Sequence, residues 1–160
     1  ALTISRITAH PSQLIPLASE VCVLTTVHSP DDARIFHKEV KTLRSAGYTV
    51  AFIAPARRPK ADLKHRLLGL CRGLIQALGT KARVFHLHDP ELLPVGLVLK
   101  ALGKSVVYDI HEDYPQQIKD KHYLPRWLRP IISWGLAGLE QLVVRLFDGT
   151  VAATEAIARR

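Results

Sequence analysis

The sequence predicts a parallel β-sheet covered by helices on both faces, and three observations lead there. Short, almost continuously apolar runs recur along the chain: EVCVLTTV (20–27), YTVAFIAP (48–55), ARVFHLH (82–88), KSVVYDIH (104–111) and FDGTVAAT (147–154). Segments with apolar residues at three-to-four spacing separate them. The runs lack polar alternation, as strands buried on both faces do, and an alternating β/α chain builds a parallel sheet from such strands. The expected architecture is a Rossmann-like, doubly wound, mostly parallel α/β domain.

Each helix carries its own signals. From about Asp32 to Ala46, Ile35, Phe36, Val40 and Leu43 share one face, and Gly47 is placed as a C-cap. Leu67, Leu68, Leu70, Cys71, Leu74, Ile75 and Leu78 form the apolar stripe of a second helix. Pro90 suits the first turn of a third, which runs to about Leu102 and is closed by Gly103. Residues 125 to 147 read as a long apolar helix interrupted by Pro130. As a membrane span it would have to carry Arg126, Arg129, Glu140 and Arg145, so packing on the sheet is expected instead. Trp127 and Trp134, beside Arg126 and Arg129, leave contact with a membrane surface open.

With 160 residues, 48% apolar and 22% charged, the chain can bury a core as one domain, 1–160. Cys22 and Cys71 both fall in apolar patterns, which suggests reduced core thiols in a cytoplasmic protein. No secretory leader pattern opens the chain. It begins at Ala1, contains no Met and stops just after a new helix opens, so one domain of a longer protein is expected. The net charge of +8 is concentrated in Arg57, Arg58, Lys60, Lys64, Arg66, Arg72, Lys81 and Arg83, opposed there only by Asp62. Such a basic face suits a phosphorylated ligand, acidic lipid or nucleic acid, or is simply solvated.

Two familiar phosphate-binding patterns are excluded. GKS at 103–105 leads from helix into strand, the reverse of a P-loop, and Val98 stands where that loop needs glycine. There is no GxGxxG. What remains are three polar stretches at strand ends. In HSPDDARIFHKE (28–39), Asp31 or Asp32 can cap the helix, whose free amides favour an anion. Capping explains neither His28 nor Arg34, a cation in the first turn, where the helix dipole disfavours it. In HLHDPELLP (86–94), His86 and His88 point to the same side of a strand. Zinc would need further ligands, with Asp89, His111 or water as candidates. The plainer alternative is one core histidine plus a helix cap from Asp89. In YDIHEDYP (108–115), Asp109 and His111 share a face opposite Val106, Tyr108 and Ile110. His28, His88 and His111 thus all fall at carboxyl ends of expected parallel strands, where open doubly wound sheets bind ligands.

Taken together, HSPDDARIF with its following KE, HLHDPELLP, YDIHEDYP and the closing DGTVAAT resemble the N-terminal domain of family 4 (group 1) glycosyltransferases, from about Glu20 to Thr154. The resemblance implies one half of a GT-B-type, retaining, nucleotide-sugar-dependent enzyme of glycan or polysaccharide biosynthesis. This half would hold a carbohydrate or lipid-linked acceptor, and a C-terminal domain absent from this chain would bind the donor. By position, His111 matches the family histidine near the transferred sugar, with Asp109 steadying its tautomer. Glu112 or Asp89 would serve as base toward the acceptor hydroxyl. His28, Asp32, Arg34, His88 and Asp89 would line the substrate side, Arg34 meeting phosphate oxygens. No metal, cofactor or nucleic acid is implied. Residues 57–83 would rest on an anionic membrane at its cytoplasmic face. The competing readings are a metal-dependent hydrolase using His86, His88 and His111, and a non-catalytic Rossmann-like binding module.

Overall fold

The computed structural model describes residues 19–55, 63–110, 118–119 and 125–158. Its centre is a five-stranded sheet in the order β2-β1-β3-β4-β5. The strands are β1 (Val21–Leu24), β2 (Val50–Ile53), β3 (Val84–Leu87), β4 (Ser105–Ile110) and β5 (Gly149–Ala152), and every neighbouring pair is parallel. All five lie inside the runs that the sequence marks as strands. β1 and β2 are buried at every position, as two-sided coverage requires.

Helices cover the sheet from both sides. On one face a π-helical turn, Ile35–Val40, runs on into α1 (Lys41–Ser45). Its Ile35 and Val40, with Phe36 and Leu43 beside them, pack on Val21, Val23, Val50 and Phe52. The opposite face carries α2 (Leu63–Gly79), α3 (Leu93–Ala101) and α4 (Leu128–Val144). Leu74, Ala77, Leu93, Leu99 and Val143 meet Leu24, Phe85, Leu87, Val106 and Tyr108 there in the larger core. A short α5 (Glu155–Ala158) follows β5. The fold is Rossmann-like α/β, as the alternating pattern predicts.

Gly47, at φ +93°, ends the first helical segment, and the amide of Tyr48 returns to the carbonyl of Leu43. Only glycine enters that conformation without strain, which is why the sequence could mark this end.

Two expectations need correcting. Pro130 does not interrupt a helix: α4 starts at Leu128, so the proline lies in its first turn, where no amide is needed. Cys71 is exposed, whereas Cys22 is buried in the core. The apolar stripe of α2 is wider than the surface it packs against. Leu70, Leu74 and Ala77 turn inward, while Leu67, Leu68, Cys71, Ile75 and Leu78 face outward. Burial pushes the Cys22 thiol up to about 12 despite a hydrogen bond with Thr80, so it is inert at neutral pH.

One close approach fixes α3 against its neighbours. A methyl group at Gly96 would lie 2.5 Å from Phe147 Cζ and 2.9 Å from Leu87 Cδ1, and both partners are buried. Gly96→Ala gains about 1 kcal/mol of helix propensity but forces a packed core apart by more than that. A net loss of about 1–2 kcal/mol is expected, read from the urea midpoint. An unchanged midpoint would mean that the core yields freely at this position.

Candidate functional site

The strand order sets where a site can form. β1 is followed by a helix on one face and β3 by a helix on the other, so the connections diverge between these adjacent strands. That divergence opens a crevice at the carboxyl ends of β1 and β3. The residues there are Thr25 to Asp32 on one side and His88 to Glu91 on the other.

Asp89 ties the two sides together. It is fully buried, and its Oδ2 accepts from Thr25 Oγ1 at 2.8 Å and from the Thr26 amide at 2.6 Å. Its other oxygen faces His28 Nε2 at 3.4 Å. Thr26 Oγ1 donates to Glu91 at 2.6 Å, adding a second stitch. Asp89 is therefore not the side-chain helix cap of the plainer reading. The backbone carbonyl of Asp89 alone receives the Leu92 amide.

His28 stands at the mouth of this crevice. Its Nδ1 is 3.4 Å from Asp32 Oδ2, and about a fifth of its side chain is exposed. Asp32, the better placed of the two possible caps, accepts from the amides of Arg34 and Ile35 at 2.9 Å each. Burial alone would raise its pKa, but those two amides and His28 outweigh that and lower it.

A second polar group lies deeper, on the α1 face. Arg34 Nη2 reaches both oxygens of Asp109 at 2.8 Å, and its Nε donates to Glu39 Oε1 at 3.2 Å. Arg34 and Glu39 are five apart, a spacing that an α-helix places on different sides. The π turn brings them together, with the amide of Glu39 bonded to the carbonyl of Arg34 at 3.1 Å. This pairing also explains why a cation is tolerated in the first turn.

His88 sits between the two carboxylates, fully buried. Its Nδ1 is 3.3 Å from Asp109 Oδ2 and its Nε2 is 3.2 Å from Glu39 Oε2. Its ring lies 4.5 Å from that of His86, in keeping with two histidines on one side of the strand. Burial raises the Asp109 carboxyl, but hydrogen bonding and charge from His88, then Arg34, outweigh it and hold Asp109 at about 2. Glu39 moves the other way: burial raises it, and Asp109 adds to that against His88 and Arg34. Glu39 is thus the carboxylate of the group that is drawn toward its protonated form. Burial, then the charge of His88, lowers His86 to about 4, so it stays neutral.

Among the described residues, Glu39, His86, His88 and Asp109 offer ligand atoms within 4.8 Å of one another, enough for a metal by distance alone. The chemistry of the donors speaks for ion pairing instead. The Arg34 guanidinium already pairs with Asp109 and Glu39, and a divalent cation would have to enter beside that fixed charge. Asp89, a candidate ligand by sequence, belongs to the other group.

Of the residues picked out by sequence, His28, Asp32 and Asp89 converge at the crevice, and Arg34, His88 and Asp109 converge beneath it. His111, Glu112 and Asp113 lie outside the described residues, as do Arg57, Arg58, Lys60 and Asp62. Sequence reasoning did not single out Glu39, Thr25, Thr26 or Glu91. The KE after ARIFH was a signal for Glu39; two threonines closing an apolar strand were the signal for the pair that holds Asp89.

The glycosyl transferase 4-like domain model matches residues 12–160. No match was found among curated proteins or among solved structures.

Proposed function

The chain belongs to the glycosyl transferase 4-like domain family, and from that premise we propose that it is the acceptor-side half of a retaining enzyme. The donor is a nucleotide sugar, bound by a second domain across the cleft. The acceptor is a carbohydrate or a lipid-linked sugar, and the product belongs to glycan or polysaccharide assembly. The observation that carries this reading is a family match across residues 12–160 in a chain whose polar groups gather at the carboxyl ends of β1, β3 and β4.

The residues divide the work. His28 and Asp32, both partly exposed at the crevice, bind the acceptor or the diphosphate side of the donor. Asp89, Arg34, His88 and Asp109 act from below: they fix the loops that present those groups. Asp109 is engaged by Arg34 and His88, so its role runs through the position of β4 rather than through direct contact with sugar. His111, two residues further along the chain, retains the role the family resemblance gives it, stabilising charge at the transferred sugar.

The test uses the enzyme with its donor-binding domain, supplied with a panel of nucleotide sugars and oligosaccharide or lipid-linked acceptors. His111→Ala is expected to lower kcat about 100-fold with an unchanged circular dichroism spectrum. Unchanged turnover would remove His111 from the site. Failure to transfer or hydrolyse any sugar nucleotide, with the fold intact, would overturn the reading as a whole.

A further inference from the structure

The described residues expose large apolar side chains very unevenly. Apart from Val27, Tyr48 and Val151, every strongly exposed one belongs to α2, α3, α4 or the residues that flank them. These three helices form one layer on one side of the sheet. The other side, under α1, has no comparable patch among the described residues.

α4 carries most of this surface. Trp127 caps its start, and Ile131, Trp134 and Leu142 follow at steps of four, three and eight residues, which keeps them on one face. Trp127 is 70% exposed and Trp134 75%. Ile75 on α2, in the same layer, is 70% exposed. A helix of this length gives a stripe about 25 Å long. That is far larger than the scattered single side chains of an ordinary surface.

The charge around the patch selects its occupant. α2 and α3 contain no acidic residue. The one acid of α4, Glu140, is turned into the core, where it accepts from the Tyr108 hydroxyl at 3.2 Å. Exposed cations frame the layer instead: Arg72 on α2, Lys81 just beyond it, and Arg126 and Arg145 at the two ends of α4. A protein partner would leave tryptophan indoles and arginines to be matched individually. An anionic bilayer satisfies both at once, because indoles favour the interface and basic side chains reach the headgroups. No helix among the described residues is long and apolar enough to cross a membrane, so the contact is lateral.

We propose that the outer face of the α2–α3–α4 layer docks on an anionic lipid bilayer, with Trp127 and Trp134 as its interfacial anchors. This stands apart from the reaction proposed above, because binding is read without any sugar transfer. It goes beyond a basic segment at 57–83: the layer lies flat on the lipid, and the carboxyl edge of the sheet opens parallel to the surface rather than away from it.

The chain's only tryptophans are these two, so their emission reports on the patch alone. Vesicles of phosphatidylcholine with phosphatidylglycerol are expected to shift the emission to the blue, and lipids brominated in the acyl chain to quench it. Pure phosphatidylcholine should do neither, and about 0.5 M salt should reverse most of the binding. Trp127→Ser with Trp134→Ser is expected to weaken cosedimentation about tenfold, while Tyr48→Ser, outside the layer, leaves it unchanged. No emission shift with anionic vesicles would overturn the proposal, as would binding without quenching. A blue shift that grows with protein concentration in the absence of lipid, accompanied by a dimer in light scattering, would assign the face to a second copy.

Discussion

With Arg34 replaced by Met, the protein is expected to lose about 2–4 kcal/mol of stability at neutral pH. The guanidinium is about one-third exposed, but its partner Asp109 is fully buried. Removing the arginine leaves that carboxylate with His88 and takes away the charge that holds the Glu39 carboxyl down. The lower end of the range allows for solvent reaching the guanidinium side. Asp109→Asn alone should also destabilise, because the ion pair between Arg34 Nη2 and the two carboxylate oxygens is lost. The double variant should cost less than the sum, since an uncharged amide in place of the Asp109 carboxylate no longer needs the guanidinium. Urea unfolding of the three variants at pH 7 checks this. Strictly additive costs would show that the two side chains do not depend on one another.

Acidification supplies the second large effect. His86 is held at about 4 in the fold, against 6.5 for the ordinary side chain. Between those two values the unfolded chain binds a proton that the folded one refuses. Stability is therefore complete above pH 6.5 and falls as pH drops toward 4, by about 3 kcal/mol in total. Glu39 works in the opposite sense. Its raised pKa favours the folded state while it is protonated, and that contribution fades as pH rises above the ordinary value of 4.5. Asp109 acts in a lower window, with stability present above 3.8 and lost as pH falls to about 2. His86→Phe keeps a planar ring beside His88 and removes the titration. Its urea midpoint should change much less than that of the parent between about pH 7 and pH 4.5. An equal change in both proteins would place the acid sensitivity elsewhere.

The sheet was legible because its signals are local. Apolar runs such as VCVL and VAFI can only be buried on both faces, and Gly47 marks a helix end through its own backbone freedom. Pro130 misled because the same residue opens a helix as readily as it breaks one, and which it does depends on where the first turn falls. The stripe on α2 misled in another way: its periodicity announces a helix, but says nothing about how wide a strip the sheet will cover. At the site, convergence of strand ends was readable from the alternation of elements. The partners were not. Arg34 and Asp109 lie 75 residues apart, and no spacing rule links them. Glu39 reaches Arg34 only because the intervening turn is π-helical, which no residue in IFHKEV declares.

The stitch made by Asp89 has a bearing on how a ligand would be received. Two connecting segments that diverge from adjacent strands would ordinarily wander independently, and fixing a residue's backbone costs about 1–2 kcal/mol of conformational entropy. Thr25, Thr26 and His28 are instead held to the β3 side through one buried carboxylate. The entropy is lost once, during folding, and not again when a ligand binds. A ligand arriving there meets a crevice already assembled, so recognition depends on fit rather than on closure.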